Sequence, residues 1–197
     1  MNFLAHIALS GENIDRQLGN FLGDFVVGDL NHPRNNFLNT THKAGVLLHR
    51  EIDRFTDNHA TVRISTHRLM PKYHKFSGII VDVFYDHFLA KNWKKYYNAD
   101  LPQFIQHFYT NLKILQPQLP RALDRPFQSM FTYNWLLNYG NFEGIEWTLK
   151  GISKRTTFDS GMENAIEDLK TDYHLYEADF FSFYPELMDF CNEKVIV

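Results

Sequence analysis

His49, Asp53 and Asp57 are spaced i, i+4, i+8, so a helix running through them carries an imidazole and two carboxylates on one narrow strip. Asp82 and Asp86 repeat the one-turn spacing inside a segment, Ser77 to Tyr96, that is apolar nearly all round. His6 lies among Phe3, Leu4, Ile7 and Leu9, and Asp24 lies at the edge of an apolar helix face. An unpaired charge in an apolar interior costs several kcal/mol, so such carboxylates need a cation, hydrogen-bond donors or a metal ion. Like charges one turn apart repel, and a shared cation turns that repulsion into attraction. Each residue alone has a plainer reading. A single histidine in an apolar segment is commonly a core histidine bonded to a carbonyl, and Asp53 and Asp57 can pair with Arg50 and Arg54 on their own helix. The Asp82 and Asp86 pair resists that reading.

Carboxylates with imidazole and no thiolate suit manganese, magnesium, iron or zinc, and the oxygen-rich mixture leans towards manganese or magnesium. The sequence has no HExxH, no ExxH and no glycine-rich phosphate loop.

The elements that must position these groups read as helices. Leu18, Phe21, Leu22, Phe25 and Val26 form one helical face that ends near Gly28. A second helix spans about Thr41 to His59, with Ala44, Leu48, Ile52 and Phe55 as its apolar stripe, and Ser77 to Tyr96 forms a central buried helix. Asp100 starts another that runs to Gln116, before Pro117 and Pro120. Ser160 with Glu163 has capping-box spacing, and Pro185 is placed to open a final helix. No strand-like alternation, repeat or linker competes. The expectation is one all-α domain over residues 1–197, a helical bundle.

With 44% apolar residues, a chain of 197 residues can bury a sizeable core. The lone Cys191 has no intramolecular partner and suits a reducing cytoplasm. The N-terminal apolar run is too short for a signal peptide or a membrane span. A net charge of −3 argues against nucleic-acid binding.

The segments MNFLAHIALS, GNFLGDFVVGD, HREIDRFTDNH and GIIVDVFYDHFLAKNW closely resemble blocks of the acyl carrier protein phosphodiesterases, in the same order. The likeness is strong over residues 1 to about 96, and the remainder is compatible in length and helical character. That family is distantly related to HD-type metal-dependent phosphohydrolases, so the resemblance implies an HD-domain-like helical core and manganese as cofactor. It implies release of 4′-phosphopantetheine from holo-acyl carrier protein, which is then the protein partner. Position by position it points to His6, Asp24, His49, Asp53, Asp82, Asp86 and His87. The His-Asp dipeptide of the HD signature is replaced by the reversed Asp86-His87.

On this basis Asp24, His49, Asp53 and Asp82 are expected to bind the metal. Asp86 serves as a further ligand or as the base that orients water, His6 and His87 as supporting or acid–base groups, and Arg50 as the phosphate grip. An acidic carrier protein needs a basic docking surface, and Arg63, Arg68, Lys72, Lys75, Lys91, Lys94 and Lys95 offer one. The competing readings are an HD-like phosphohydrolase of a nucleotide or small phosphoester, and a non-catalytic helical adaptor whose His and Asp residues form internal polar networks.

Overall fold

A computed structural model describes residues 1–195 and contains α-helices, short 3-10 turns and no strand among them. The helices are α1 (Phe3–Ala8), α2 (Ile14–Leu22), α3 (Thr40–Asn58), α4 (Ala60–Tyr73), α5 (Ser77–Lys91), α6 (Leu101–Leu115), α7 (Asp124–Tyr133), α8 (Trp135–Asn138), α9 (Phe142–Ser153), α10 (Ala165–Thr171) and α11 (Tyr173–Val195). The all-α expectation is met.

Helix α5 is the hub, touching α1, α4, α9 and α11. Its Ile80, Val81, Val83, Phe84, Tyr85, Phe88 and Leu89 are wholly buried, as an all-round apolar helix must be. Ile79 is the exception, at 40% exposure, because it faces a cleft. Aromatic rings from distant segments close around α5, with Phe84 edge-on to Tyr176 and Tyr85 edge-on to Phe180, arrangements that favour the ring quadrupoles.

Helices α2 and α3 approach until their backbones touch. A Cβ on Gly19 would lie 2.1 Å from the His42 carbonyl oxygen, and one on Gly45 would lie 2.3 Å from that of Arg16. Only glycine fits at either crossing point. This contact lays the C-terminal end of α2 beside the middle of α3, where His49 and Asp53 are. Asn39 caps α3 by accepting from the His42 amide.

Several boundaries differ from the sequence reading. Helix α2 stops at Leu22 and tightens into a 3-10 turn, Gly23–Phe25, so Phe25 and Val26 lie outside it. Ala44 is exposed. The Ser160 capping box does not form. Glu163 instead accepts from Ser153, and α10 starts later, at Ala165. Pro185 lies inside α11, where the surrounding core sustains the helix despite one missing N–H.

The basic stretch is less free than its composition suggests. Arg68 pairs with Asp179, Lys72 with Asp168 and Lys94 with Asp100. Lys75, Lys91 and Lys95 lie over the rings of Phe158, Tyr173 and Phe181 and keep their charge, as does Arg63, so four of the seven cations have no carboxylate partner among the described residues.

Candidate metal centre and active site

The end of α1, the turn after α2 and the outer half of α3 meet at one point. The rings of His6 and His49 stack with centroids 4.0 Å apart, and Asp53 faces both. Its Oδ1 lies 3.2 Å from His6 Nε2 and its Oδ2 lies 3.2 Å from His49 Nε2. One donor atom from each of the three residues falls within 4.8 Å of the others. Asp24 extends the group, with Oδ1 4.0 Å from His49 Nε2.

A buried chain of hydrogen bonds fixes the His6 tautomer. The Ser10 hydroxyl donates to the His6 carbonyl at 2.8 Å, so its oxygen is free to accept from Asn20 Nδ2, also at 2.8 Å. The other amide atom of Asn20 is then an acceptor, and His6 Nδ1 donates to it at 2.9 Å. A neutral His6 therefore turns a bare Nε2 lone pair towards a carboxylate. Burial, with the charge of His49 second, lowers the pKa of His6. Burial raises that of Asp53, but the facing imidazoles of His49 and His6 outweigh it and hold the carboxyl well below its usual range. An ionised carboxylate and an imidazole nitrogen attract through a cation between them, either a second proton on the imidazole or a metal ion, and the burial that lowers the pKa of His6 disfavours the proton. The donor set fits a divalent metal ion on those grounds.

Gly23 leaves room for this arrangement, because a Cβ there would lie 2.2 Å from His49 Cγ. Its backbone is ordinary helical (φ −51°), so the constraint is purely steric. Gly23→Ala is expected to displace the His49 ring and weaken manganese binding by about tenfold or more. Titration calorimetry measures this, and unchanged affinity would remove His49 from the donor set.

The remaining candidates are placed differently. Asp82 lines the same cleft as His6, Asp24 and Asp53, yet its Oδ1 accepts from the Met1 ammonium at 2.7 Å. Asp86 is wholly buried and accepts from the backbone amides of Asn2, Leu4 and Ala5 at 3.1, 2.8 and 3.4 Å. The partner that two carboxylates on a buried face require is thus the start of α1, its ammonium and its free amides. Asp86 acts on the site through α1, which carries His6. Arg50 donates to the Gly28 carbonyl at 2.7 Å and does not line the cleft.

His87 lies apart from the cluster. Its Nδ1 donates to the Tyr139 carbonyl at 2.8 Å, and its Nε2 accepts from the Tyr173 hydroxyl at 3.1 Å. It is a satisfied core histidine, and burial lowers its pKa. His87→Ala should cost about 2–4 kcal/mol through a cavity and an orphaned carbonyl, while the metal-dependent shift in melting temperature persists. Loss of that shift at unchanged stability would return His87 to the site.

Sequence reasoning passed over Asn20, Gly23 and Arg155, and read Lys75 as part of a docking surface and not of the cleft. Asn20 alone carried a signal, a polar residue between Leu18 and Phe21 on a buried face. Lys75 and Arg155 line the cleft from segments distant in sequence.

A family model described as acyl carrier protein phosphodiesterase matches residues 1–187. The acyl carrier protein phosphodiesterase of Photorhabdus laumondii is 31% identical, over 98% of this chain and 96% of its own length. That of Yersinia enterocolitica is 33% identical over 100% of both chains. No solved structure matches. With a family model covering nearly the whole sequence and relatives aligned end to end, the chain belongs to the acyl carrier protein phosphodiesterase family.

Proposed function

We propose that this protein hydrolyses the phosphodiester that joins 4′-phosphopantetheine to a serine of holo-acyl carrier protein, using a divalent metal, manganese first among the candidates. The observation that carries the metal is the Asp53 carboxylate facing the bare Nε2 of His6 in a tautomer fixed by Asn20 and Ser10. The family carries the substrate. His6, His49, Asp53 and Asp24 hold the ion. This gives His6 a ligand's place and takes it from Asp82, which the Met1 ammonium occupies.

When bound, the ion lowers the pKa of a coordinated water and polarises a phosphoryl oxygen. The protein's own groups do the rest. Asn20 keeps the His6 lone pair aimed at the cleft, and Asp86 anchors the helix that carries it. Water adds its oxygen to phosphorus and gives up one proton to solvent, the bond from phosphorus to the serine oxygen breaks, and the phosphate leaves with pantetheine. The serine oxygen takes up a proton. Asp57 lines the cleft beside the donor set, and from that position we assign it as the group that passes a proton to the serine oxygen. An HD-domain-like ligand arrangement and a reducing cytoplasmic setting belong to the same reading. Among the described residues no helix is long and apolar enough to cross a membrane.

The test follows conversion of holo- to apo-carrier protein by mass spectrometry after chelation and after adding back manganese, magnesium, iron or zinc. Activity should vanish with chelation and return best with manganese. Full turnover after exhaustive chelation would remove the metal mechanism.

A further inference from the structure

The cleft over the metal donors, about 560 Å³, does not end at them. A second cleft of about 590 Å³ shares Asn2, Phe3, Ile152 and Arg155 with it, so the two form one groove. Its character changes along its length. The first part carries the carboxylates of Asp24, Asp53, Asp57 and Asp82. The second is walled by Trp135, Tyr139 and Trp147 and fringed by Arg125, Lys154 and Arg155, and no carboxylate lines it. None of those three cations is in a salt bridge among the described residues. Trp135 also carries a buried Nε1–H without an acceptor, a shortfall that a native fold seldom leaves unmet.

We propose that this second cleft receives the pantetheine arm of the substrate and that Arg155, at the junction, grips the phosphate. The inference rests on the phosphodiesterase reading of the metal centre. A phosphodiester has two substituents that leave phosphorus in different directions. The serine side is attached to a folded protein and must face solvent, so the slender arm takes the remaining groove. Its chemistry suits that groove: the phosphate meets a guanidinium able to make two parallel hydrogen bonds, the geminal methyl groups meet aromatic walls, and the amide carbonyls meet side-chain donors. Trp147 is 40% exposed with neighbours only partly buried, so it can be shortened without emptying the core.

The experiment compares full-length, manganese-loaded wild type with Trp147→Ala, Trp147→Phe, Arg155→Ala and Arg155→Lys. The substrates are holo-carrier protein and methyl 4-nitrophenyl phosphate, a diester without the arm. Trp147→Ala should raise KM for holo-carrier protein about tenfold, leave kcat within about twofold, and leave the small diester untouched, with Trp147→Phe recovering most of the loss. Arg155→Ala should lower kcat/KM for both substrates, and Arg155→Lys should restore part of it. A direct readout is acrylamide quenching of tryptophan fluorescence, from which free 4′-phosphopantetheine should protect wild type at concentrations about tenfold lower than it protects Trp147→Ala, whose Trp135 still lines the cleft. Normal turnover with an unchanged KM in Trp147→Ala would overturn the cleft and leave the activity standing. Protection by 4′-phosphopantetheine without any release from holo-carrier protein would overturn the activity and keep the cleft.

Discussion

Replacing Asp53 by asparagine is expected to lower turnover of holo-carrier protein by roughly two to three orders of magnitude or more. The carboxylate gives one oxygen to each buried imidazole, at 3.2 Å to His6 and 3.2 Å to His49. Asparagine keeps the shape but offers one acceptor and one donor. It also removes the charge that would draw a cation between the rings. The metal-free fold should survive, because the Asp53 side chain is 46% exposed and belongs to no core cluster. Asp82→Asn is the informative contrast. It strips the Met1 ammonium, buried to 0% exposure, of its counter-ion, so it should destabilise the protein even in chelator. Melting curves with chelator and with manganese separate the two. Asp53→Asn should lose the manganese-induced shift, and Asp82→Asn should keep it from a lower baseline. The opposite pattern would return Asp82 to the ligand set in place of Asp53.

The sequence disclosed these residues unevenly, for a physical reason. His49 and Asp53 share a strip because helical periodicity is local, and that part of the site is visible in any stretch long enough to show its apolar stripe. Asp82 and Asp86 were visible as charges on a buried face, but a one-dimensional pattern states that a partner is needed without saying which. The structure supplies two different partners at the start of α1, the Met1 ammonium for Asp82 and the backbone amides for Asp86. His87 stands next to Asp86 in the chain, yet successive helical positions point about 100° apart, which sends it into the core against Tyr139 and Tyr173. The α-helical class was legible throughout. Helix ends were not, because caps depend on contacts between helices, as when Glu163 turns to Ser153 instead of closing a capping box. The tryptophan-lined cleft is assembled from the start of α1, from α7, α8 and α9 and from Lys154 and Arg155 just after α9, a meeting of distant segments that no local pattern encodes.

Removing the Asp86 carboxylate should produce the largest loss of stability among the polar changes considered, about 3–5 kcal/mol for Asp86→Ala. Three amides at the start of α1 lose their shared acceptor, and nothing else buried there replaces it. Helix α1 has only six residues, too few to hold itself together in water, so its place depends on that anchor. Because α1 ends near His6, the metal-dependent melting shift should shrink together with stability. Asp86→Asn isolates the charge. Burial raises the Asp86 carboxyl to about 7, against the pull of the Met1 ammonium and the amides of Leu4, Asn2 and Ala5. Its folded value thus lies above the unfolded one of roughly 4, and the native state binds the proton more tightly. That contribution is fully present below about pH 4 and is lost as pH rises through about 7. Asparagine cannot ionise, so the variant should lack this step. Denaturation midpoints at pH 5 and pH 8 therefore converge: wild type loses more stability than Asp86→Asn on going to the higher pH, and the gap between them narrows. Parallel changes in the two proteins would show that Asp86 stays ionised across this range. In that case the three amides and the ammonium, rather than burial, set its charge.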